Sequence, residues 1–161
     1  IIHNEPLVNF AVQKRRHNIS TWNKVINLNL TAPFILTSYI AELMIANRTK
    51  GLIINISSIS ANGNLGQTAY SASKAGLDSM TAVWSKELGF MGIRCVSISP
   101  GFIDTKTTHT LMNQKKLDYI KANIPLRKLG EISNITKTIK FVIENDYLNG
   151  TVIKVDGGLK I

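Results

Sequence analysis

Leu52-Ile53-Ile54-Asn55-Ile56-Ser57-Ser58 is the stretch that decides how this chain folds. Its nearly continuous apolar, β-branched run predicts a strand buried on both faces, the condition of a strand inside a parallel sheet. It closes on polar residues, and Ser57 to Gly66 reads as a Ser-, Asn- and Gly-containing loop. Two later stretches have the same character. Ile93 to Ser99 is stopped by Pro100-Gly101, and Thr151 to Val155 is ended by Asp156-Gly157-Gly158. Helical spacing fills the intervals. One helix spans roughly 21–47, capped by Ser20 or Thr21 and interrupted by Pro33; a second runs from about Thr68 to Phe90; a third covers Ile132 to Glu144. Residues 1–18 read as a loop or weak helix, and 102–130 as short helical pieces broken at Pro125. Helix and strand alternate, so the expected class is α/β, a doubly wound parallel sheet covered by helices. Such sheets bind ligands at the carboxyl ends of their strands. That directs attention to Asn55-Ile56-Ser57-Ser58 and Ser97-Ile98-Ser99-Pro100-Gly101.

Composition narrows the possibilities. The 161 residues, 44% hydrophobic and 18% charged, suit a single domain over 1–161 with a true core and argue against a disordered chain. No uninterrupted apolar run approaches the ~20 residues that span a bilayer, so no membrane is expected. The N-terminus lacks a signal-peptide pattern. A single cysteine, Cys95, excludes an intrachain disulfide and a cysteine-based zinc site; it reads as a buried apolar residue in a reducing, cytoplasmic setting. His3, His17 and His109 show no metal spacing, and no metal is expected. The net charge of +9 suits an anionic ligand or an acidic carrier protein. The basic residues (among them Lys14, Lys116 and Lys121) are dispersed, and no nucleic-acid module accompanies them, so nucleic acid is not an expected partner.

The chemistry-bearing residues lie on the second helix and before it. Tyr70 and Lys74 are one helical turn apart and share a face. An ammonium beside a phenol favours the phenolate and lowers a pKa that is ~10 in water. Such a pair can pass a proton to or from an alcohol or carbonyl oxygen. The Ser57-Ser58 pair just upstream offers a hydroxyl to the same oxygen; adjacent strand residues face opposite ways, so one of the two aims at the site. Pro33 lacks an N–H and frees the carbonyl of Asn29, which with the Asn29 amide can hold an ordered water.

These motifs resemble the short-chain dehydrogenases/reductases. Tyr70-Ser71-Ala72-Ser73-Lys74 matches that family's Tyr-x-x-x-Lys signature. Asn55-Ile56-Ser57-Ser58 is similar to its active-site strand, Asn29-Leu30-Thr31 to its helix asparagine, Pro100-Gly101-Phe102-Ile103-Asp104-Thr105 to its nicotinamide-side loop, and Val155-Asp156-Gly157-Gly158 to its closing motif. The motifs occur in order over nearly the whole chain. The resemblance implies a Rossmann-like fold and hydride transfer between NAD(H) or NADP(H) and a carbonyl/alcohol pair. It implies Tyr70 as general acid or base and Lys74 as the residue that lowers its pKa and holds the nicotinamide ribose. A strand-end serine orients the substrate oxygen, and Asn29 supports a water relay. Pro100, Gly101, the backbone at Ile103 and Thr105 lie against the cofactor. Ser58 is preferred to Ser57 because position at the strand end fixes side-chain direction, although the usual spacing to tyrosine favours Ser57.

Gly63-Asn64-Leu65-Gly66-Gln67-Thr68 resembles the 3-oxoacyl-carrier-protein reductase branch in particular, which suggests a 3-oxoacyl thioester, small or carried by an acidic acyl carrier. Leu111, Met112, Leu117 and Ile120 either line a substrate pocket or pack as a small helix pair. The helix 68–90 and the last strand are where this family makes homodimer or homotetramer contacts. One element of the pattern has no counterpart: nothing reads as the glycine-rich turn that cradles the cofactor pyrophosphate. The sequence therefore reads as a domain without its N-terminal part, with a catalytically inactive, partner-binding remnant as the alternative function. The choice between NAD and NADP depends on residues outside the stretch; the positive charge leans to NADP.

Overall fold

The computed structural model describes Ile2, residues 4–9 and residues 15–161, the side chains of Asn9, Arg15 and Leu111 excepted. The expectations for His3, for Lys14 and for Leu111 as a pocket side chain lie outside the described residues. Near the N-terminus, where a loop or weak helix is expected, β1 (Val8–Asn9) pairs antiparallel with β2 (Arg15–Arg16).

The first helical unit begins at α1 (Ile19–Ile26), and its cap is Asn18, whose side chain accepts a hydrogen bond from the Ser20 N–H at 2.8 Å. Asn18 takes the role expected of Ser20 or Thr21 because an Asx side chain reaches the N–H two residues on. Pro33 does not break the unit. It lies in the first turn of α2 (Ala32–Ala46), and a π-helical turn, Asn27–Thr31, joins the two helices, with the Ala32 N–H bonded to the Asn27 carbonyl. A wider turn ahead of a residue that cannot donate keeps the helix continuous. The resulting 28-residue helix is, by length and composition alone, long and apolar enough to cross a membrane, and polar residues such as Asn23, Lys24, Asn27 and Asn29 interrupt its apolar run. Val25, Asn29 and Ala41 are its buried residues, and Val25 packs with Ala69 and Tyr70 of the following helix.

β3 (Gly51–Ile56), β4 (Ile93–Pro100) and β5 (Val152–Val155) form a parallel sheet in the order β3-β4-β5. The register sets Asn55 beside Ser97 and Ile98 beside Ile153. α3 (Thr68–Leu88) connects β3 to β4, and α4 (Lys106–Leu111), α5 (Gln114–Asn123) and α6 (Ile132–Glu144) lie between β4 and β5. The α/β class with a helix-covered parallel sheet is as expected. Helix bounds differ by a residue or two at α3, which passes into a 3₁₀ turn at Gly89–Met91.

The two faces of the sheet have separate cores. Ile53, Ile93 and Cys95 pack with Ala41, Trp84 and Leu88 beneath α2 and α3. Leu52, Ile54, Val96 and Ile98 pack with Ile139 and Val142 of α6. Odd-numbered and even-numbered residues of β3 and β4 thus divide cleanly between the helices, as the pleat requires, and Ile153 and Val155 of β5 join the α6 side. The sheet steps in one direction while its crossover helices lie on opposite faces, so the two crossovers have opposite hands. One departs from the usual right-handed rule, and the long 101–151 connection gives the chain length to do so. Arg94 joins α6 to β4, its guanidinium donating to the carbonyls of Val142, Ile143 and Leu148 at the helix C-terminus.

Candidate active site

The carboxyl ends of β3 and β4 lie at one edge of the parallel sheet, with Ile56 opposite Ile98. Past that edge, Ser57 and Ser58 diverge. The Ser57 N–H continues the ladder to the Ile98 carbonyl at 2.7 Å, and its hydroxyl donates to the Lys74 carbonyl at 3.4 Å. Ser57 is buried against the backbone of α3. Ser58, extended at φ −165°, caps the 3₁₀ turn Ile59–Asn62 by accepting from the Ser60 N–H. The Ser58 hydroxyl also shares a hydrogen bond with the Tyr70 hydroxyl. The strand pleat therefore gives one serine to the helix backbone and the other to the phenol.

Tyr70 is 8% exposed and packs between Val25 and Ala69. Burial pushes its pKa up from the ordinary tyrosine value, and the Ser58 hydrogen bond pulls part of the way back. The expectation of a lowered phenol pKa is thus not met in this state. Desolvation of the phenolate outweighs its stabilisation, and the Lys74 ammonium is 5.8 Å from the ring centroid, directed to the Ile56 carbonyl at 2.7 Å. Lys74 is itself shifted down, by burial first, with Asp78 opposing. The site presents a neutral phenol, a hydroxyl donor and a half-buried ammonium at the sheet edge.

Asn29 lies in the π turn, buried at 8% exposure, on the unit that packs against α3. Pro100 ends β4 opposite Val155, and the Gly101 N–H donates to the Val155 carbonyl at 2.9 Å. A Cβ on Gly101 would meet the Asp156 Cα at 2.8 Å, so close backbone approach to the Asp156-Gly157 turn already requires glycine there. Ile103 bridges Gly130, and its carbonyl accepts from the Thr108 hydroxyl at 2.6 Å. Thr105 caps α4 through its hydroxyl, which accepts from the Thr108 N–H at 3.2 Å. These four residues leave the same sheet edge as Ser58, on the strand beside it.

A cavity of about 670 Å³ opens between the 63–67 loop, α5 and the C-terminus. Met112, Ile120, Phe102 and Leu159 give it apolar walls, and Lys116 and Lys160 give it cations. Of the α4–α5 residues with two expected roles, Leu117 packs into a core with Ile120, Ile124 and Leu129, whereas Met112 and Ile120 serve both core and cavity. Sequence reasoning singled out the strand ends that carry Asn55 and Ser97 but missed their partners on α3, Thr81 and Asp78. The Asn55 amide donates to Thr81 at 2.7 Å, and the Ser97 hydroxyl donates to Asp78 at 2.6 Å. Their signal was present: Asn55 and Ser97 interrupt otherwise apolar strands. Among the described residues, no group of three or more His, Cys, Asp or Glu is placed to hold a metal ion.

Comparison with known proteins gives consistent relatives. Residues 7–160 match the protein family described as enoyl-(acyl carrier protein) reductase. The human (3R)-3-hydroxyacyl-CoA dehydrogenase is 43% identical over 141 residues, covering 86% of this chain and 54% of the relative. The 3-oxoacyl-(acyl-carrier-protein) reductase of Thermotoga maritima is 41% identical over 143 residues, 87% of this chain and 57% of its own length. Among solved structures, 4-hydroxyisoleucine dehydrogenase complexed with NADH superposes with a TM-score of 0.87 at 32% identity, over 98% of this chain and 64% of that one. The chain spans about half the length of the curated relatives it matches.

Proposed function

The chain belongs to the short-chain dehydrogenase/reductase family, and from that premise we propose that it carries the proton-transfer half of an NAD(P)-dependent oxidoreductase site. The observation that carries the reading is the Ser58–Tyr70 hydrogen bond, one helical turn from Lys74, at the carboxyl edge of a parallel sheet. A nicotinamide cofactor, when bound, supplies or accepts the hydride. Tyr70, a neutral phenol, donates its proton to the carbonyl oxygen of the substrate and takes it back in the reverse direction. The Ser58 O–H orients that oxygen. Lys74 holds positive charge beside the phenolate that forms and offers donors to the nicotinamide ribose. Asn29 supports the water path that returns a proton to Lys74.

The donor set fits the nicotinamide-ribose end of such a cofactor: an ammonium and a phenol at the sheet edge, flanked by the backbone of Pro100, Gly101 and Ile103 and by Thr105. NADH in a structural neighbour supports a nicotinamide cofactor; the +9 charge leans to the phosphorylated form, NADPH. The substrate is a carbonyl/alcohol pair on an acyl chain, a 3-oxoacyl thioester. Support comes from the names of the relatives and from the apolar cavity with its two lysines. Homodimeric or homotetrameric assembly and a cytoplasmic setting belong to the same proposal. Exposed apolar residues on α2, among them Phe34, Leu36 and Tyr39, support the first, and the buried free Cys95 the second.

The test is isotope transfer. The purified protein is incubated with a 3-oxoacyl thioester and either NADH or NADPH deuterated at the nicotinamide C4. Deuterium on C3 of a hydroxyacyl product supports the reading. Protein that binds neither cofactor and yields no labelled product supports the alternative of an inactive partner-binding piece, which the exposed apolar face of α2 favours.

A further inference from the structure

Two polar residues lie side by side in the middle of the sheet. Asn55 and Ser97 are register partners on β3 and β4, and both face α3. Ser97 is 0% exposed, and burying a hydroxyl there costs free energy unless it is bonded. Each finds a partner on α3, Asn55 in Thr81 and Ser97 in Asp78. The Asn55 pair is neutral, and Thr81 passes its own proton to the Leu77 carbonyl, so that pair is closed. The Ser97 pair ends on a carboxylate, a costlier group to hold half-buried.

Asp78 is one helical turn beyond Lys74 on the same helix, as Lys74 is one turn beyond Tyr70. Phenol, ammonium and carboxylate therefore form a single stripe along α3. We propose that Asp78, held by the buried Ser97 hydroxyl, is a positioning residue that keeps Lys74 charged beside Tyr70. This rests on the reading of Tyr70 and Lys74 as the proton-transfer pair.

The physical need is plain. Lys74 is half-buried, and burial works against its ammonium. The groups seen against Lys74 among the described residues are uncharged: the Tyr70 ring on its own helix, the Ile56 carbonyl of β3 and the Ser57 hydroxyl at its backbone. Asp78 is the charged group that acts on it among the described residues, and its effect opposes that of burial. The Ser97 bond fixes one carboxylate oxygen against β4, so the negative charge has a set place relative to the sheet edge. An Asn at 78 keeps the shape and the hydrogen bond from Ser97 and removes the charge.

The experiment reads Lys74 directly. Wild type, Asp78→Asn, Asp78→Glu and Ser97→Ala are labelled with acetic anhydride across a pH series, and labelling at Lys74 is followed by peptide mass spectrometry, with exposed Lys86 on the same helix as internal reference. Only the neutral amine labels. The proposal expects the pH of half-maximal labelling at Lys74 to fall in Asp78→Asn, giving several-fold faster labelling near neutrality with Lys86 unchanged. Asp78→Glu restores wild-type behaviour, and Ser97→Ala moves in the same direction by less. Folded Asp78→Asn with an unchanged Lys74 profile overturns the proposal. Should Asp78→Asn fail to fold, an unchanged profile in Ser97→Ala overturns it instead. Isotope transfer in the same preparations separates the two ideas. A protein without turnover but with a shifted Lys74 profile contradicts the proposed function and supports the role of Asp78.

Discussion

The two halves of α3 bury side chains to different ends. The C-terminal half sends Trp84 and Leu88 into an apolar core with Ile93 and Cys95. The N-terminal half buries Tyr70, Ser71 and Ser73 and half-buries Lys74 and Asp78. A helix seeking stability alone has no reason to bury an ammonium whose pKa falls. At neutral pH only the Lys74 shift records a cost of burial, because the phenol is uncharged in the folded and the unfolded chain alike. The difference teaches that one end of the helix anchors the sheet, while the other holds buried polar groups at the sheet edge, the pattern that the proposed site requires.

Substitutions in the two halves are therefore expected to diverge. The largest loss of stability belongs to the C-terminal half: Trp84→Ala removes a buried indole and costs about 3–5 kcal/mol in chemical denaturation. A variant as stable as wild type breaks the claim that this half is the anchor. Next is Thr81→Val, at the junction, which leaves the Asn55 amide without its acceptor; the expected cost is about 1–3 kcal/mol. Gly101→Ala tests the neighbouring strand end, where the new Cβ meets the Asp156 backbone, and lowers the melting temperature. The smallest effect has the opposite sign. Lys74→Met removes a buried charge, so it raises the melting temperature slightly at neutral pH while abolishing turnover. The sign follows from linkage. Below its depressed folded pKa Lys74 is charged in both states, and the folded state carries the cost. That cost is relieved as pH rises through the depressed value to the ordinary ~10.4. The gain from Lys74→Met over wild type should accordingly vanish at alkaline pH, and a gain independent of pH contradicts the burial account.

The strands and the long helices were legible because their signals are local. The apolar runs at 52–56 and 93–99 and the helical spacing of Ile132–Glu144 need no tertiary knowledge. The divergence of Ser57 and Ser58 was legible from the alternation of a strand, a rule that survives a change in loop length. The β1–β2 pair was illegible because strands of two residues carry no period. The π turn at Asn27–Thr31 was illegible because Pro33 signals a break, and only packing on α3 decides whether the helix breaks or widens. The opposite hands of the two crossovers depend on which face α6 covers, a long-range choice. Asp78 was overlooked because an acidic residue on a helix normally faces water; it takes Ser97, 19 positions along the chain, to show otherwise. The raised pKa of Tyr70 likewise depends on burial by α1, which the motif alone does not contain.

The central claim is that Tyr70 serves the chemistry and not the fold, and one variant addresses it. Tyr70→Phe keeps the ring among Val25 and Ala69 and removes only the hydroxyl. Turnover of a 3-oxoacyl thioester with NADPH and the melting temperature are measured on the same preparation. The account predicts a fall in turnover of about 10²–10⁴-fold, the usual worth of a general acid, with the melting temperature unchanged or raised. Turnover equal to wild type, with or without a change in melting temperature, would contradict it.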